Sequence, residues 1–200
     1  MQPMVAAVIL AAGRSARMGR PKALLPHRDG QTTFIAYLLS QLRSPRLSHV
    51  LVVGREDDDL LREEAARGDA VFVTNHDPDR GQLSSLVAAL DALRDEPDAV
   101  LVLPVDVPLV SAGVIDAILG RADAGAAIVR ASHRGLHGHP VLFKRSVFSE
   151  LRQASRSEGA KGVVRSDPAR VLDVEVDDPD VLADVDTPQD YERLIGRSLR

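Results

Sequence analysis

Two hundred residues are enough chain to bury one sizeable core, and 44% apolar with 27% charged residues is an ordinary globular balance rather than a disordered one. The 25 basic and 29 acidic side chains leave a formal charge of −4, which argues against a broad electrostatic grip on nucleic acid or an anionic membrane. Without cysteine there is no disulfide framework, thiolate metal site, iron–sulfur cluster or cysteine nucleophile, and no apolar run approaches the roughly 20 residues of a membrane span.

Short Val- and Ile-rich runs recur along the chain at Met4–Leu10, Val50–Val53, Ala70–Thr74, Ala99–Val105, Ala126–Val129, Val141–Phe143 and Val171–Val174. They lack strict apolar–polar alternation and so read as strands buried on both faces. Phe34, Ile35, Leu38, Leu39 and Leu42 form one helical apolar face behind a Thr32 or Thr33 cap. Leu83, Leu86, Val87, Leu90 and Leu93 form a second face, starting close to Ser84 and Ser85. A third helix is expected near Val114–Leu119 with Ser111 as its cap, and a fourth from Pro188 behind Asp186 or Thr187. This alternation predicts an α/β fold, a mostly parallel sheet with helices on both faces, in one domain over residues 1–200. Residues 132–138 and 153–162 are the least regular and read as loops over the sheet edge. The opening apolar run lacks a basic flank, so a cytoplasmic enzyme or binding protein is expected.

In such sheets ligands bind beyond the carboxyl ends of the strands. After the first strand come Leu10, Ala11, Ala12, Gly13, Arg14, Ser15, Ala16, Arg17, Met18, Gly19, Arg20, Pro21 and Lys22. Glycines, small residues and four cations within nine positions suit a loop whose backbone N–H groups approach an anion. The spacing fits neither a Walker A loop nor a dinucleotide fingerprint. The string, continued by Ala23, Leu24, Leu25 and Pro26, resembles the signature of nucleotidyltransferases of the molybdenum-cofactor and sugar-nucleotide type. The match is to the molybdenum cofactor cytidylyltransferase-like (MobA-like) family of NTP transferases, and it runs over nearly the whole chain. The resemblance implies a Rossmann-like sheet of the nucleotide-diphospho-sugar transferase type. It further implies a loop from Leu10 to Ser15 around a nucleoside triphosphate, whose charge Lys22 and Arg17 neutralise. The Ala11-Ala12-Gly13 form resembles the cytidylyltransferase branch, so CTP is favoured, with GTP open.

The run at Ala99 ends in Pro104, Val105, Asp106, Val107 and Pro108. Two prolines brace a lone strand-end carboxylate, which suits Mg²⁺, a hard cation that prefers oxygen. Val105 and Val107 depart from the family pattern around this position, but the Asp is intact, and the resemblance makes it the ligand of the catalytic ion. Near the end of the chain, Asp184 and Asp186 fall on one side of an extended segment before Thr187 and Pro188. The resemblance carries the second metal ligand over to Asp186, with Asp184 as runner-up. Asp173, Glu175, Asp177, Asp178 and Asp180 read as a solvated acidic face.

Asn75, Gly81 and Ser85 resemble the family's nucleotide-pocket segment, while a plain turn and helix cap would use the same letters. His133, His137 and His139 lie within seven residues but lack a recognised zinc spacing. Gly138, His139 and Pro140 instead resemble a motif facing the second substrate, where His139 donates to a phosphate and Gly138 permits close backbone approach. Ser157 to Gly162 matches a family loop only loosely, with Glu158 and Lys161 near its usual Asp and Arg.

The resemblance thus implies a Mg²⁺-dependent transfer of a nucleoside monophosphate from a triphosphate to molybdopterin or its molybdenum form. A molybdoenzyme apoprotein is a further candidate partner; nucleic acid and membrane are not. Two other readings remain open at this point. One is a transferase acting on a sugar-1-phosphate or another phospho-alcohol, separable by an acceptor panel. The other is a non-catalytic molybdopterin carrier, which would bind pterin without releasing pyrophosphate.

Overall fold

The computed structural model describes residues 3–199. Seven strands form one sheet: β1 (Val5–Leu10), β2 (Leu47–Gly54), β3 (Val71–Thr74), β4 (Ala99–Pro104), β5 (Ile128–His133), β6 (Leu136–Lys144) and β7 (Val171–Glu175). Their order is β3-β2-β1-β4-β6-β5-β7. The first four are parallel, β6 runs antiparallel to both β4 and β5, and β7 is parallel to β5. The sheet is mostly parallel, as its patterning predicts. Central strands β1 and β4 are buried at every position, whereas edge strands β3 and β7 are partly exposed.

Because successive side chains in a strand point to opposite faces, β1 feeds two cores. Val5, Ala7 and Ile9 pack with α1 (Phe34–Gln41), α2 (Asp59–Arg67), α4 (Ala112–Leu119) and α7 (Pro188–Ile195). Ala6, Val8 and Leu10 pack with α3 (Gln82–Ala92), α5 (Phe148–Gln153) and α6 (Gly159–Ser166). Thr33 caps α1 by accepting from the Ala36 N–H, and Ser111 caps α4 by accepting from the Val114 N–H.

Two expectations are corrected. Residues 132–138 are not a loop: β5 and β6 form a hairpin joined at Arg134 and Gly135, both at positive φ (51° and 76°). This is the backbone a two-residue turn needs to follow the strand twist, and Arg is an unusual residue to occupy it. The stretch 153–162 likewise contains the first turn of α6, whose Val163 side chain is buried against the second core. Two glycines in that turn mask its helical character in the sequence.

The strand order reverses direction of growth between β1 and β4, with β2 and β3 on one side of β1 and β4 on the other. Such a switch point opens a crevice at the carboxyl ends of the two strands. Leu10 and Pro104 are register partners at that end.

Candidate active site

Three segments meet at this crevice. The first is the loop after β1. Its N–H groups from Ala12 through Arg17 donate to no partner among the described residues. Ser15, at φ 49°, turns the loop, and its carbonyl accepts from the Met18 and Gly19 N–H groups at 2.9 and 3.0 Å. Met18, Ala23 and Leu25 are buried in the first core and anchor the loop. The Lys22 N–H donates to the Ser15 hydroxyl at 3.1 Å, which closes the turn and sends the lysine side chain inward.

The second and third segments are joined through the backbone. The Val185 N–H donates to the Asp106 carbonyl at 2.7 Å, and Val185 is fully buried. This bond brings the residues around Asp184 and Asp186 to the end of β4, about eighty positions earlier in the chain. Lys22 Nζ lies 2.6 Å from Asp186 Oδ1 and 3.5 Å from Asp106 Oδ2, with only 11% of its side chain exposed. Arg17 reaches Asp186 Oδ2 at 2.8 Å from the solvent side.

The acids differ in their electrostatics. Burial raises the Asp106 carboxyl above the usual range, against the Lys22 cation and together with repulsion from Asp186. Burial also raises Asp184, which feels both Asp106 and Asp186. Asp186 is lowered, chiefly by the hydrogen bond from Lys22. Two carboxylates reached by one ammonium group present their oxygens to a common space, a donor set suited to a hard divalent cation that keeps several waters. Asp106 and Asp186 fit that role best, because both touch Lys22 while Asp184 does not.

A cavity of about 200 Å³ lies over this cluster, lined by Leu10, Ala11, Ala12, Gly13, Ser15, Lys22, Pro78, Gly81, Gln82, Ser85, Val105 and Asp106. Most residues expected at the nucleotide therefore share one cavity. Asn75 and Arg14 do not line it. The Asn75 amide, 4% exposed, donates to the Ser84 and Ser85 hydroxyls at 2.9 and 3.0 Å and accepts from the Asp77 N–H. It shapes the 75–85 turn rather than facing a base edge, because its donors and acceptor are spent internally. The Arg14 guanidinium instead chelates Asp79.

A second pocket of about 840 Å³ adjoins the first at Leu10, Gly81 and Gln82. Leu83, Leu86, Val102, Val141, Phe143 and Val164 give it an apolar floor, and Arg80, Arg130, Arg156, Lys161 and Arg165 supply cations. His139 stands in its wall with a buried Nδ1 that meets no described partner, and burial beside Lys161 pushes its imidazole pKa down to about 4. Pro140 is buried and lines neither cavity.

Gly138 lines this pocket, but its bare Cα serves packing. A methyl group there would collide with the Val181 carbonyl oxygen, so the glycine lets β6 lie against the segment that leads into Asp184. His133 Nδ1 bonds the Val176 carbonyl at 2.8 Å, and His137 faces Asp173. The expected acidic face is exposed at Asp173, Glu175 and Asp177, with Asp173 chelating Arg130 and Glu175 accepting from Ser132 and the Arg134 N–H; Asp178 and Asp180 are half-buried, accepting from Ser111 and pairing with Arg28. Arg130 and Arg165 escaped notice because nothing local distinguishes them; only the fold brings them to one pocket.

Comparison with known proteins agrees with this fold. The family model for the MobA-like NTP transferase domain matches residues 7–171. The chain belongs to that family. The molybdenum cofactor cytidylyltransferase of Escherichia coli (strain K12) is 25% identical, with 92% of each chain covered. The nicotine blue oxidoreductase of Paenarthrobacter nicotinovorans is 31% identical, covering 96% of this chain and 97% of that one. Among solved structures, Rv0371c from Mycobacterium tuberculosis H37Rv superposes with a TM-score of 0.83 at 31% identity, covering 98% of this chain and 100% of the other. A manganese complex of Rv0371c scores 0.77 at 28% identity, covering 96% and 98%. The MobA-like chain is thus a nucleotidyltransferase by family, on a Rossmann-like sheet. No helix among the described residues is long and apolar enough to cross a membrane.

Proposed function

We propose that this MobA-like protein transfers a nucleoside monophosphate, with CTP the favoured donor, to the phosphate of a molybdopterin-type acceptor and releases pyrophosphate. The observation that carries the reading is the meeting of Lys22, Asp106 and Asp186 beneath a loop with open N–H groups. In this reading an acceptor phosphate oxygen attacks the α-phosphorus in line. The new oxygen–phosphorus bond forms as the bond to the bridging oxygen of the β-phosphate breaks, and that electron pair leaves with pyrophosphate. A phosphomonoester, with a second pKa of about 6, is already largely ionised near neutrality, so no general base is needed. Catalysis then rests on positioning and on charge stabilisation.

Asp106 and Asp186 would hold Mg²⁺, which supplies charge neutralisation between acceptor and triphosphate when bound. Lys22 and Arg17 would stabilise the leaving pyrophosphate, and the N–H groups of the loop from Ala12 would position it. The nucleoside would lie along Leu10, Ala11, Gly81 and Ser85. The 840 Å³ pocket would take the acceptor: its apolar floor suits a fused-ring body, and neutral His139 beside Lys161 suits the attacking phosphate. Its volume lies at the upper end of the roughly 300–1,000 Å³ typical of small-molecule sites, which favours an acceptor larger than a simple sugar phosphate.

The deciding experiment incubates the protein with each nucleoside triphosphate, Mg²⁺ and molybdopterin, and follows the products by mass spectrometry. A cytosine dinucleotide with pyrophosphate is expected. A product only with sugar-1-phosphates would reassign the acceptor, and pterin binding without pyrophosphate from any triphosphate would reduce the protein to a carrier.

A further inference from the structure

Two rims of the nucleotide cavity are tied together by an ion pair. Gly13 and Pro78 both line the cavity, and the residues beside them, Arg14 and Asp79, form an ion pair. The contact is two-pronged, from Arg14 Nε and Nη2 to the two Asp79 carboxylate oxygens, with the Nε contact at 2.7 Å. Arg55 steadies the same arrangement: its Nη1 donates to the Ala12 carbonyl at 3.5 Å and lies 4.0 Å from Asp79 Oδ1. Both side chains of the pair are more than half exposed.

The cavity beside this bridge, of about 200 Å³, opens at Leu10, Gly81 and Gln82 into the larger pocket. While the bridge is formed, both oxygens of Asp79 occupy the Arg14 guanidinium. The bridge is cheap to open, since exposed ion pairs gain little over their hydrated partners. Its geometry is also suggestive. A guanidinium that grips a carboxylate with two parallel bonds is shaped to grip two phosphate oxygens in the same way. Arg14 belongs to the loop whose N–H groups, from Ala12 through Arg17, meet no described partner.

Resting on the nucleotidyltransferase reading above, we infer that Asp79 is an internal surrogate for substrate phosphate: it occupies Arg14 until a triphosphate takes the arginine over. Asp79 is then a specificity-determining residue that limits triphosphate affinity, and it opposes binding rather than assisting it. Ligands without a phosphate chain cannot recruit Arg14 and gain nothing from its release.

The test is a double-mutant cycle on the full chain, measuring CTP binding with Mg²⁺ by calorimetry and KM from pyrophosphate release. Asp79→Asn keeps the size of the side chain and removes its charge. It is expected to tighten CTP binding and lower KM by about threefold with little change in kcat. Arg14→Ala is expected to weaken binding, and adding Asp79→Asn to Arg14→Ala should change nothing further. Weaker CTP binding by Asp79→Asn would overturn the inference, because the carboxylate would then assist the nucleotide directly. An equal effect of Asp79→Asn with and without Arg14 would overturn it too. If the unaltered protein binds no triphosphate at all, the nucleotidyltransferase reading falls and takes the inference with it. CTP binding by that protein with no gain from Asp79→Asn removes the inference alone. A melting curve for each variant separates these results from misfolding.

Discussion

The two cavities that adjoin at Leu10 and Gly81 are built on different parts of the sheet and by different means. The smaller one sits at the switch point of the parallel half, where an eleven-position loop, a strand end and a distant extended segment put charges within hydrogen-bonding reach of one another. The larger one lies over the mixed half, where β4 and β6 are antiparallel, and its floor is apolar with cations held at its wall and rim. The first has little freedom to change, since Lys22 serves two acids at once. The second can exchange wall residues without disturbing any ion pair in the first.

This contrast can be broken by substitution. The largest effect is expected at Asp106. Asp106→Ala should lower pyrophosphate release by at least about a thousandfold while circular dichroism and the melting profile stay close to the parent, because in the proposed mechanism the side chain holds the ion and it belongs to neither core cluster. Near-parental turnover would remove the charged cavity from the chemistry altogether. Lys22→Ala should cost at least about tenfold in kcat, roughly 1.4 kcal/mol of barrier, measured under saturating CTP.

At the boundary between the two regions, Gly138→Ala should destabilise the fold by about 1–3 kcal/mol in urea titrations, because the added methyl meets a backbone carbonyl that has no rotamer to change. If it leaves stability untouched, β6 and the segment before Asp184 are not packed as described. The smallest effect is one of pH. The His139 imidazole, ordinarily near 6.5, sits at about 4 in the folded protein. Between those values the unfolded chain binds the extra proton, so stability falls as the pH drops from about 6.5 and levels off below about 4. His139→Gln should flatten that part of the stability curve, read from urea midpoints at a series of pH values. Activity should show no titration from this group above pH 5, since it is already neutral there.

Much of the fold is legible in the residues because it is encoded locally. Thr33 and Ser111 announce their helices by the side-chain oxygen each offers, and β1 and β4 announce themselves by unbroken apolar runs. The β5–β6 hairpin is hidden because Arg134 occupies a turn position where Asn or Gly is usual. α6 is hidden by Gly159 and Gly162, which lower local helix propensity while Val163 supplies the tertiary contact that sets it.

The site divides along the same line. Gly13, Ser15 and Lys22 can be read together because they share one loop, and Asp106 because two prolines frame it. That Asp186 reaches Lys22 follows from a backbone bond between Val185 and Asp106, which no local pattern contains. Asn75 misleads for a related reason: a strand-end amide has the chemistry to recognise a base, and only its contacts with Ser84 and Ser85 show that it is already engaged.

The hydroxyl of Tyr191 donates to the Pro26 carbonyl at 2.8 Å, while its helix begins in a reciprocal cap between Thr187 and Asp190. This staple joins residues at opposite ends of the sequence, just after the lysine and just after the second acid. During synthesis the loop, β1 and Asp106 all emerge long before their counterpart exists. A chain lacking the last segment would hold the residues of the cradle and one acid, with neither the partner carboxylate nor the brace that fixes it. A break between Glu175 and Asp186 would therefore spare the residues of all seven strands while taking away that carboxylate and the buried Val185, Tyr191 and Ile195 of the first core.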